Sequence, residues 1–247
     1  IRGVGIGLVK QGVKLYEDSP VIAIDYGDEH QIHTVGGVLK AKMLVQTMNS
    51  FTEEFGLLKN KLAPVFTYGS LTDPLPSDLV DKYFKEVKPW GLTSAHPAGT
   101  TVRLTPDHRI LVRNILDFNA SLHSTEQQRA FAWEQHQQSF LARFPFLEKI
   151  DFEYTWGGML CMTLNHNSVF EKVSDNIYMV CGCNGVGVAK GTYLGYYMAE
   201  MIFGNHSKEL EFIQKTNHVS WVPPEPFRSI GAKYKIRQEQ ISAGSDI

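Results

Sequence analysis

Cysteine is scarce in this sequence of 247 residues, which contains only Cys161, Cys181 and Cys183. Three clustered thiols are too few for a secreted disulfide scaffold, so they favour a reducing compartment, and we expect a cytoplasmic protein. Cys181 and Cys183 are closer in sequence than the usual zinc-binding pairs, and the histidines form no pair four residues apart. The sequence therefore predicts no metal site.

Long apolar runs and an excess of positive charge are also absent. A membrane-spanning helix needs about 20 apolar residues, whereas the longest candidate, residues 193–203, contains Gly195 and Glu200. The formal net charge is -2, and nucleic acids or anionic membranes usually bind a concentrated basic face. We therefore expect neither a nucleic acid nor a membrane as a partner.

Three common nucleotide and hydrolase motifs are missing as well. Residues 3–8 look like a dinucleotide-binding Gly-x-Gly-x-x-Gly, but Leu8 stands at the third glycine and no strand precedes it. Lys190 follows Ala189 and does not complete a phosphate-binding P-loop. No Gly-x-Ser-x-Gly is present, so a hydrolase triad has no anchor. These absences disfavour ATP-dependent and serine-hydrolase chemistry.

The order of strand-like and helix-like segments predicts one discontinuous domain with a second domain inserted into it. Residues 1–59 and 151–205 form the first domain, and residues 60–150 form the inserted one. Residues 206–247, which are polar and contain several prolines, are predicted to be a tail that wraps the surface.

Several local signals refine this division. Residues 1–12 are predicted to be helical and residues 13–16 to form a short strand. Ser124 with Gln127 has the pattern of a capping box that opens a helix of the inserted domain. The chain starts at Ile1 with residues typical of the middle of a helix, so we expect an upstream segment of the same protein.

The most informative segment runs from Asn176 to Gly191, where an apolar strand leads into a glycine-rich turn that opens a helix. Glycines let backbone N–H groups approach a ligand, and the helix N-terminus adds partial positive charge. This pattern favours a cofactor bound at residues 182–187. Glycines spaced four apart in the helix also fit a second interpretation, tight packing of the helix against a sheet.

Two further motifs are weaker. Trp156-Gly157-Gly158 places an aromatic ring beside two flexible residues, which suits either a planar ligand or a simple bend of a strand. Arg103 and Arg113 are potential carboxylate anchors, although each also fits a solvated surface arginine.

Taken together, these segments resemble the FAD-dependent amine and amino-acid oxidases of the D-amino acid oxidase superfamily, which includes glycine, sarcosine and gamma-glutamylputrescine oxidases. The likeness spans nearly the whole chain, and the glycine block is its most specific part. It implies an α+β fold, made of the remainder of an FAD-binding α/β domain and an inserted antiparallel-sheet substrate domain with covering helices. The segments that carry the likeness are residues 14–21, 103–107, 156–158, 176–191 and 221–227.

The resemblance also implies where FAD and substrate bind. Val21 matches a position near the adenine, Thr47 and Asn49 lie near the nucleotide, and Cys161 falls near the cysteine that binds flavin covalently in sarcosine oxidases; a buried apolar cysteine is the other interpretation. Trp156 and Arg103 are the expected substrate-binding residues, and no general base is identified. The residues expected to border the isoalloxazine are Gly182, Cys183, Asn184, Gly185, Val186, Gly187 and Val188.

The function implied is that of part of an FAD-dependent oxidoreductase, which oxidises a small amine or amino acid by hydride transfer to flavin. The expected partners are this small molecule and the missing N-terminal segment. Two alternatives stay open: a non-enzymatic binding or assembly module of the same fold without flavin, and a dehydrogenase of the same fold that uses an electron acceptor other than oxygen.

Overall fold

The computed structural model describes all 247 residues and divides the chain into two compact units. Unit 1 contains Ile1–Leu62 and Cys161–Trp221, and unit 2 contains Ala63–Leu160 and Val222–Ile247. Both units are discontinuous, and their segments alternate along the chain. No helix combines the length and apolar character that crossing a membrane requires.

Unit 1 opens with helix α1 (Arg2–Lys10), followed by an antiparallel meander of three strands. Gly3, Gly5 and Gly7 lie inside α1, so they form no phosphate-binding turn. Residues 13–16, predicted as a strand, have no regular structure, because no neighbouring strand pairs with them. The strands of the meander are β1 (Val21–Asp25), β2 (His30–Thr34) and β3 (Gly37–Ala41).

A second sheet of unit 1 carries the glycine turn. Its strands are β4 (Leu44–Gln46), β10 (Val169–Ser174) and β11 (Ile177–Cys181), in the order β10-β11-β4. All five residues of β11 are buried, as expected for a central strand. Helix α4 (Gly187–Ile202) packs on β11, and α5 (Lys208–Thr216) packs on α4 and β10. The core between them contains Phe170, Tyr178, Val180, Leu194, Met198, Leu210 and Ile213.

Buried polar contacts join the meander to this second sheet. His30 is fully buried, with Nε2 3.3 Å from the Asn176 carbonyl oxygen. Asn176 Nδ2 in turn donates to the Gly27 oxygen at 2.8 Å. On the other side, Gln46 Nε2 donates to the Tyr26 hydroxyl at 2.8 Å. These bonds fix β4, and the segment that follows it, relative to the rest of unit 1.

Unit 2 is built on a five-stranded sheet in the order β6-β7-β8-β5-β9. Pairing is antiparallel from β6 through β7 and β8 to β5, and β9 forms the edge next to β5. Unit 2 also contains a short helix, α2 (Ser77–Leu79), which continues as one π-helical turn to Phe84. The strands are β5 (Ala63–Thr72), β6 (Trp90–Thr93), β7 (Thr101–Leu104), β8 (Ile110–Phe118) and β9 (Phe152–Met162). The part of β9 up to Leu160 belongs to unit 2.

Helix α3 (Glu126–Arg143) covers one face of this sheet. Its capping box is formed by Thr125 and Gln128, not by Ser124 and Gln127. The prediction was therefore wrong by one residue, because Thr125 has the extended backbone that an N-cap needs. The apolar core under α3 includes Val102, Leu104, Ile110, Val112, Phe140 and Phe152.

A buried polar cluster locks α3 to the sheet. His136 is inaccessible to solvent, with Nδ1 2.7 Å from Ser70 Oγ, and Ser70 Oγ is 2.7 Å from Thr155 Oγ1. The Asn114 amide donates to His136 Nε2 at 3.4 Å, so Nδ1 carries the proton and donates to Ser70. Burial lowers the pKa of His136 to about 4, which keeps the imidazole neutral at physiological pH.

The predicted tail over residues 206–247 is helical for much of its length. It contains α5 and, beyond the proline-rich stretch, α6 (Phe227–Ala243), which packs against β8 of unit 2. Gln240 Nε2 donates to the Leu116 oxygen at 3.3 Å. The prolines at 223, 224 and 226 obscured both helices, because they fall between the two and dominate the local composition.

Candidate functional site: the glycine turn of unit 1

The turn between β11 and α4 uses backbone conformations that glycine favours. Gly182 and Gly185 have φ angles of +80° and +81°, a region that costs other residues steric strain. A Cβ atom at Gly182 would also lie 3.2 Å from the Thr163 methyl carbon. The turn therefore needs glycine at 182 for both conformation and space.

Asn184 holds the turn from within. Its φ of +47° lies in the left-handed region that asparagine tolerates best among non-glycine residues. Its Oδ1 accepts a hydrogen bond from the Thr163 amide at 2.9 Å, and its Nδ2 donates to the Asn167 oxygen at 3.1 Å. Ser168 Oγ adds a bond to the Gly182 oxygen at 2.9 Å. The loop after β9 thus braces the turn from one side.

The N-terminus of α4 is left uncapped by this arrangement. Val186 is the N-cap residue and supplies no side-chain hydrogen bond. The first amides of the helix, at Gly187, Val188 and Ala189, have no intrahelical acceptor, as at every helix start. Val186 and Val188 are 54% and 67% exposed, respectively. Free N–H groups and the helix dipole together favour an anionic or electron-rich group at this point.

The three cysteines lie together behind the turn. Cys161 and Cys181 are buried in one apolar cluster, and Cys183 packs against it. The Cys161 amide lies 3.3 Å from Cys183 Sγ. Burial raises the pKa of Cys161 to about 11 and raises that of Cys181 further. These two thiols therefore stay protonated at neutral pH and are poor nucleophiles.

The structure brings most of the predicted cofactor residues together. Asn49, at φ +53°, accepts a hydrogen bond at Oδ1 from the Gly182 amide at 3.1 Å. Asn184 N donates to the Cys161 oxygen at 3.0 Å, which joins Cys161 to the turn. Thr47 is exposed just beyond β4, the parallel neighbour of β11. Val21 stands apart, because it begins β1 in the meander and has no hydrogen bond to the turn.

Sequence reasoning missed two hydroxyls beside this cluster. Ser50 and Thr52 are buried beside Cys161 and Cys181, respectively. Both follow Asn49 in a 3-10 helix (Asn49–Phe55) that supports the turn. The polar residues Asn49, Ser50 and Thr52 soon after strand β4 were the available signal, since such residues are mostly exposed.

The two residues predicted to bind substrate lie in unit 2. Trp156 is in β9, and its ring lies 3.0 Å from where a Cβ of Gly69 would stand. Arg103 is an exposed residue of β7. Both are on the sheet of unit 2, while every predicted cofactor residue belongs to unit 1.

The turn of unit 1 suits one side of a flavin. A glycine at 182 opens the backbone, and the uncapped start of α4 offers N–H groups to an electron-rich edge. These are the residues of this chain that would hold FAD. Gly3, Gly5 and Gly7 do not form the glycine-rich turn that binds a pyrophosphate, since they lie inside helix α1.

Comparison with known proteins defines the class. A family model described as FAD dependent oxidoreductase matches residues 1–201. The chain therefore belongs to this family, whose cofactor is FAD, and the resemblance stated from the sequence is confirmed. The α+β fold is confirmed as well, by solved structures of the same architecture.

The individual relatives are distant in sequence from this chain. The chain is 24% identical to gamma-glutamylputrescine oxidoreductase of Escherichia coli, covering 93% of this chain and 53% of that protein. It is also 24% identical to the probable oxidoreductase OrdL of Haemophilus influenzae, covering 83% and 46%. The chain thus spans about half the length of these curated relatives.

Among solved structures, glycine oxidase from Geobacillus kaustophilus superposes with a TM-score of 0.66 at 15% identity, over 86% of this chain and 55% of that one. L-proline dehydrogenase from P. horikoshii gives 0.63 at 18%, over 84% and 56%. At these identities the likeness is one of fold.

Proposed function

We propose that this chain forms part of an FAD-dependent oxidoreductase that oxidises a small amine or amino acid. Unit 1 contributes the turn at residues 182–188 to the flavin site, and unit 2 binds the amine. The observation that carries the proposal is the uncapped N-terminus of α4 after a glycine turn, in a chain of the FAD-dependent oxidoreductase family.

The chain's own groups act through fixed dipoles. FAD supplies the two-electron acceptor that takes a hydride from the carbon beside the amine nitrogen. The N–H groups at the start of α4 would stabilise negative charge on the edge of a bound flavin without moving or changing protonation. Asn49 and Asn184 keep these groups in place, because both hydrogen bond directly to the backbone around the turn.

Covalent attachment of the flavin is not part of this proposal. Cys161 is 1% exposed and its pKa is raised to about 11, whereas attachment needs an accessible thiolate. Its burial among Leu62, Val169 and Met179 supports a structural role.

The Trp156 ring supports a substrate role for unit 2. It is 42% exposed and rests over Gly69, which pairs with Arg113 in the ladder between β5 and β8, so a flat apolar surface faces outward. Such a surface would orient the apolar part of a small amine by contact. The acceptor that reoxidises the flavin, oxygen or another compound, is left open by these residues.

The deciding experiment is a visible absorbance spectrum of the purified chain with and without added FAD, alongside a version extended upstream. A resolved flavin band in the extended protein, bleached by an amine substrate under anaerobic conditions, is the expected result. A band in the short chain as well means that unit 1 binds flavin by itself. Absence of flavin from both proteins contradicts the proposal and favours the non-enzymatic module.

A further inference from the structure

Helix α6 has apolar side chains on two opposite faces. On the face that packs on unit 2, Ala243 is buried, and Ala232 and Ile236 are half-buried. Gln240 lies on this face as well and donates to the Leu116 oxygen. With about 100° between successive residues, these α6 positions fall within about 80° of one another around the helix axis. This face holds α6 on the sheet.

The other face of α6 is apolar and exposed. Four large side chains on it are between 64% and 66% exposed: Phe227, Ile230, Tyr234 and Ile241. Their spacing of three, four and seven residues places all four within an arc of about 60°, on the side of the helix away from the sheet. We call these four residues the outer stripe. Single exposed apolar residues are ordinary, whereas a contiguous row marks an interaction surface.

The residues that flank the outer stripe are basic. Lys233 and Arg237 lie on one side of it and Lys235 on the other, and all three are exposed. Glu239, the one acidic residue of α6, turns toward the sheet, with Oε2 3.6 Å from His96 Nε2. Its Oε1 is 2.6 Å from Lys235 Nζ, whereas Lys233 and Arg237 form no ion pair. Uncompensated positive charge therefore borders the stripe.

This basic character is local to α6. Over Phe227–Ala243 the sequence has four lysines and arginines and one glutamate, although the formal net charge of the whole chain is -2. The expectation of no membrane partner came from that average over all residues, which conceals a local excess of one sign. A basic helix with an exposed apolar stripe is typical of helices that lie in the interface of an anionic membrane.

We propose that α6 docks the protein onto a bilayer that contains anionic phospholipids, with the helix axis parallel to the membrane plane. The outer stripe enters the boundary between headgroups and acyl chains. Lys233 and Arg237 extend sideways to the phosphates, as long basic side chains do at such an interface. The inference is independent of the proposed function, because it uses no residue of the flavin or substrate sites.

Charge favours a bilayer over a second copy of this chain. A two-fold contact through the outer stripe would bring Lys233 and Arg237 of one copy close to those of the other, and no acidic side chain of α6 lies beside them. Anionic headgroups supply the missing negative charge, and the acyl region accepts the apolar side chains.

The test is co-sedimentation with phospholipid vesicles, for both the chain and the version extended upstream. Vesicles of phosphatidylcholine mixed with phosphatidylglycerol are expected to bind both proteins, and vesicles of phosphatidylcholine alone to bind them about 30-fold more weakly. We expect K233Q/R237Q to lower the affinity for the mixed vesicles about 30-fold. I230Q/I241Q is expected to lower it about 100-fold, because two apolar side chains no longer leave water.

A matched control removes one apolar and one basic side chain from another helix. Phe212 and Lys215 of α5 are exposed, and F212Q/K215Q is expected to keep the parental affinity for both kinds of vesicle. All the substituted side chains are exposed, so every variant is expected to melt close to the parent. A loss of vesicle binding is then not a loss of folding.

A second measurement reports depth. Y234W adds a tryptophan to the outer stripe, and we expect its additional fluorescence to be quenched by phosphatidylglycerol that carries bromine on its acyl chains. Such quenching shows that the stripe enters the acyl boundary. Binding without quenching of the added tryptophan would mean contact with headgroups alone and would contradict the insertion of the stripe.

Other results would overturn the inference as a whole. Equal binding to the two kinds of vesicle would remove the role of the basic residues. Binding by the chain and not by the extended version would show that upstream residues cover the stripe. A lipid-free dimer that I230Q/I241Q dissociates, seen by analytical ultracentrifugation, would assign the stripe to a second copy. None of these results concerns flavin binding or amine oxidation, so the proposed function stands or falls separately.

Discussion

Asn49 Oδ1 accepts a hydrogen bond from the Gly182 amide at 3.1 Å, although 133 positions separate the two residues. This bond joins the segment after β4 to the turn after β11, the two places where neighbouring parallel strands end. Ligands commonly bind at such strand ends in α/β folds. Asn49 is therefore a support of the turn as well as a predicted cofactor residue.

Substitution of Asn49 separates its side-chain bond from its backbone conformation. We expect N49G to destabilise the protein by about 1 kcal/mol, because it loses the bond but tolerates φ of +53°. N49A also meets left-handed strain and is expected to lose about 2–3 kcal/mol. Urea unfolding measures both. Equal losses for the two variants would show that the left-handed backbone adds nothing.

Two glycines of the same block are expected to respond in opposite ways to alanine. G182A places a side chain at φ +80°, against Thr163, and is expected to destabilise the protein by about 1–3 kcal/mol. G191A lies inside α4 with open space around the Cβ position, and is expected to stabilise the helix by up to about 1 kcal/mol. Thermal unfolding of the two variants side by side tests this; a loss at G191A would reveal a close neighbour of α4.

Stability is expected to fall in mild acid because of His136. Its pKa is about 4 when folded and 6.5 in the reference state, so the unfolded chain binds the extra proton between these values. The neutral imidazole's contribution is complete above pH 6.5 and is lost as the pH falls toward 4, by about 3 kcal/mol.

The check is the free energy of unfolding from pH 4 to 8 for the parent and for H136N. The variant is expected to be less stable at pH 7, since Ser70 and Asn114 lose a partner, and to show a shallower decline in acid. Parallel curves for the two proteins would assign the acid sensitivity to other groups.

Cys161 is expected to stay unmodified. In the native protein at pH 8, iodoacetamide should label Cys183 before Cys161 and Cys181, because only Cys183 is partly exposed. The denatured FAD-loaded protein is expected to have the mass of the bare polypeptide. A mass increased by that of FAD would instead show a covalent bond between FAD and the protein, and peptide mapping would identify the cysteine.

The sequence predicted those helices and strands whose pattern lies within one short stretch of the chain. The sequence predicted the strand over Ile177–Cys181 and the helix from Gly187. In this stretch an apolar run is followed directly by glycines and then by residues with helical spacing. The helix over Arg2–Lys10 was predicted for the same reason. The two helices in the predicted tail were missed, since prolines between them dominate the local composition and α6 is only weakly amphipathic.

Contacts between distant segments were beyond local patterns. Nothing in the sequence indicates that Trp156 rests over Gly69, or that Arg103 and Arg113 share a sheet face, because both follow from strand register. The individual residues were recognisable as unusual. Which of them contact one another follows only from the pairing of the strands. The assignment of all site residues stays a prediction.

The alternation of the two units along the chain affects how the protein is made. A segment of unit 2 is synthesised between the two segments of unit 1, so unit 1 is incomplete long after its first segment leaves the ribosome. At about 5–20 residues per second, β4 waits several seconds for its neighbour β11. During that interval its unpaired edge is open to pairing with other chains, so this is the stage of synthesis at which aggregation is most favoured.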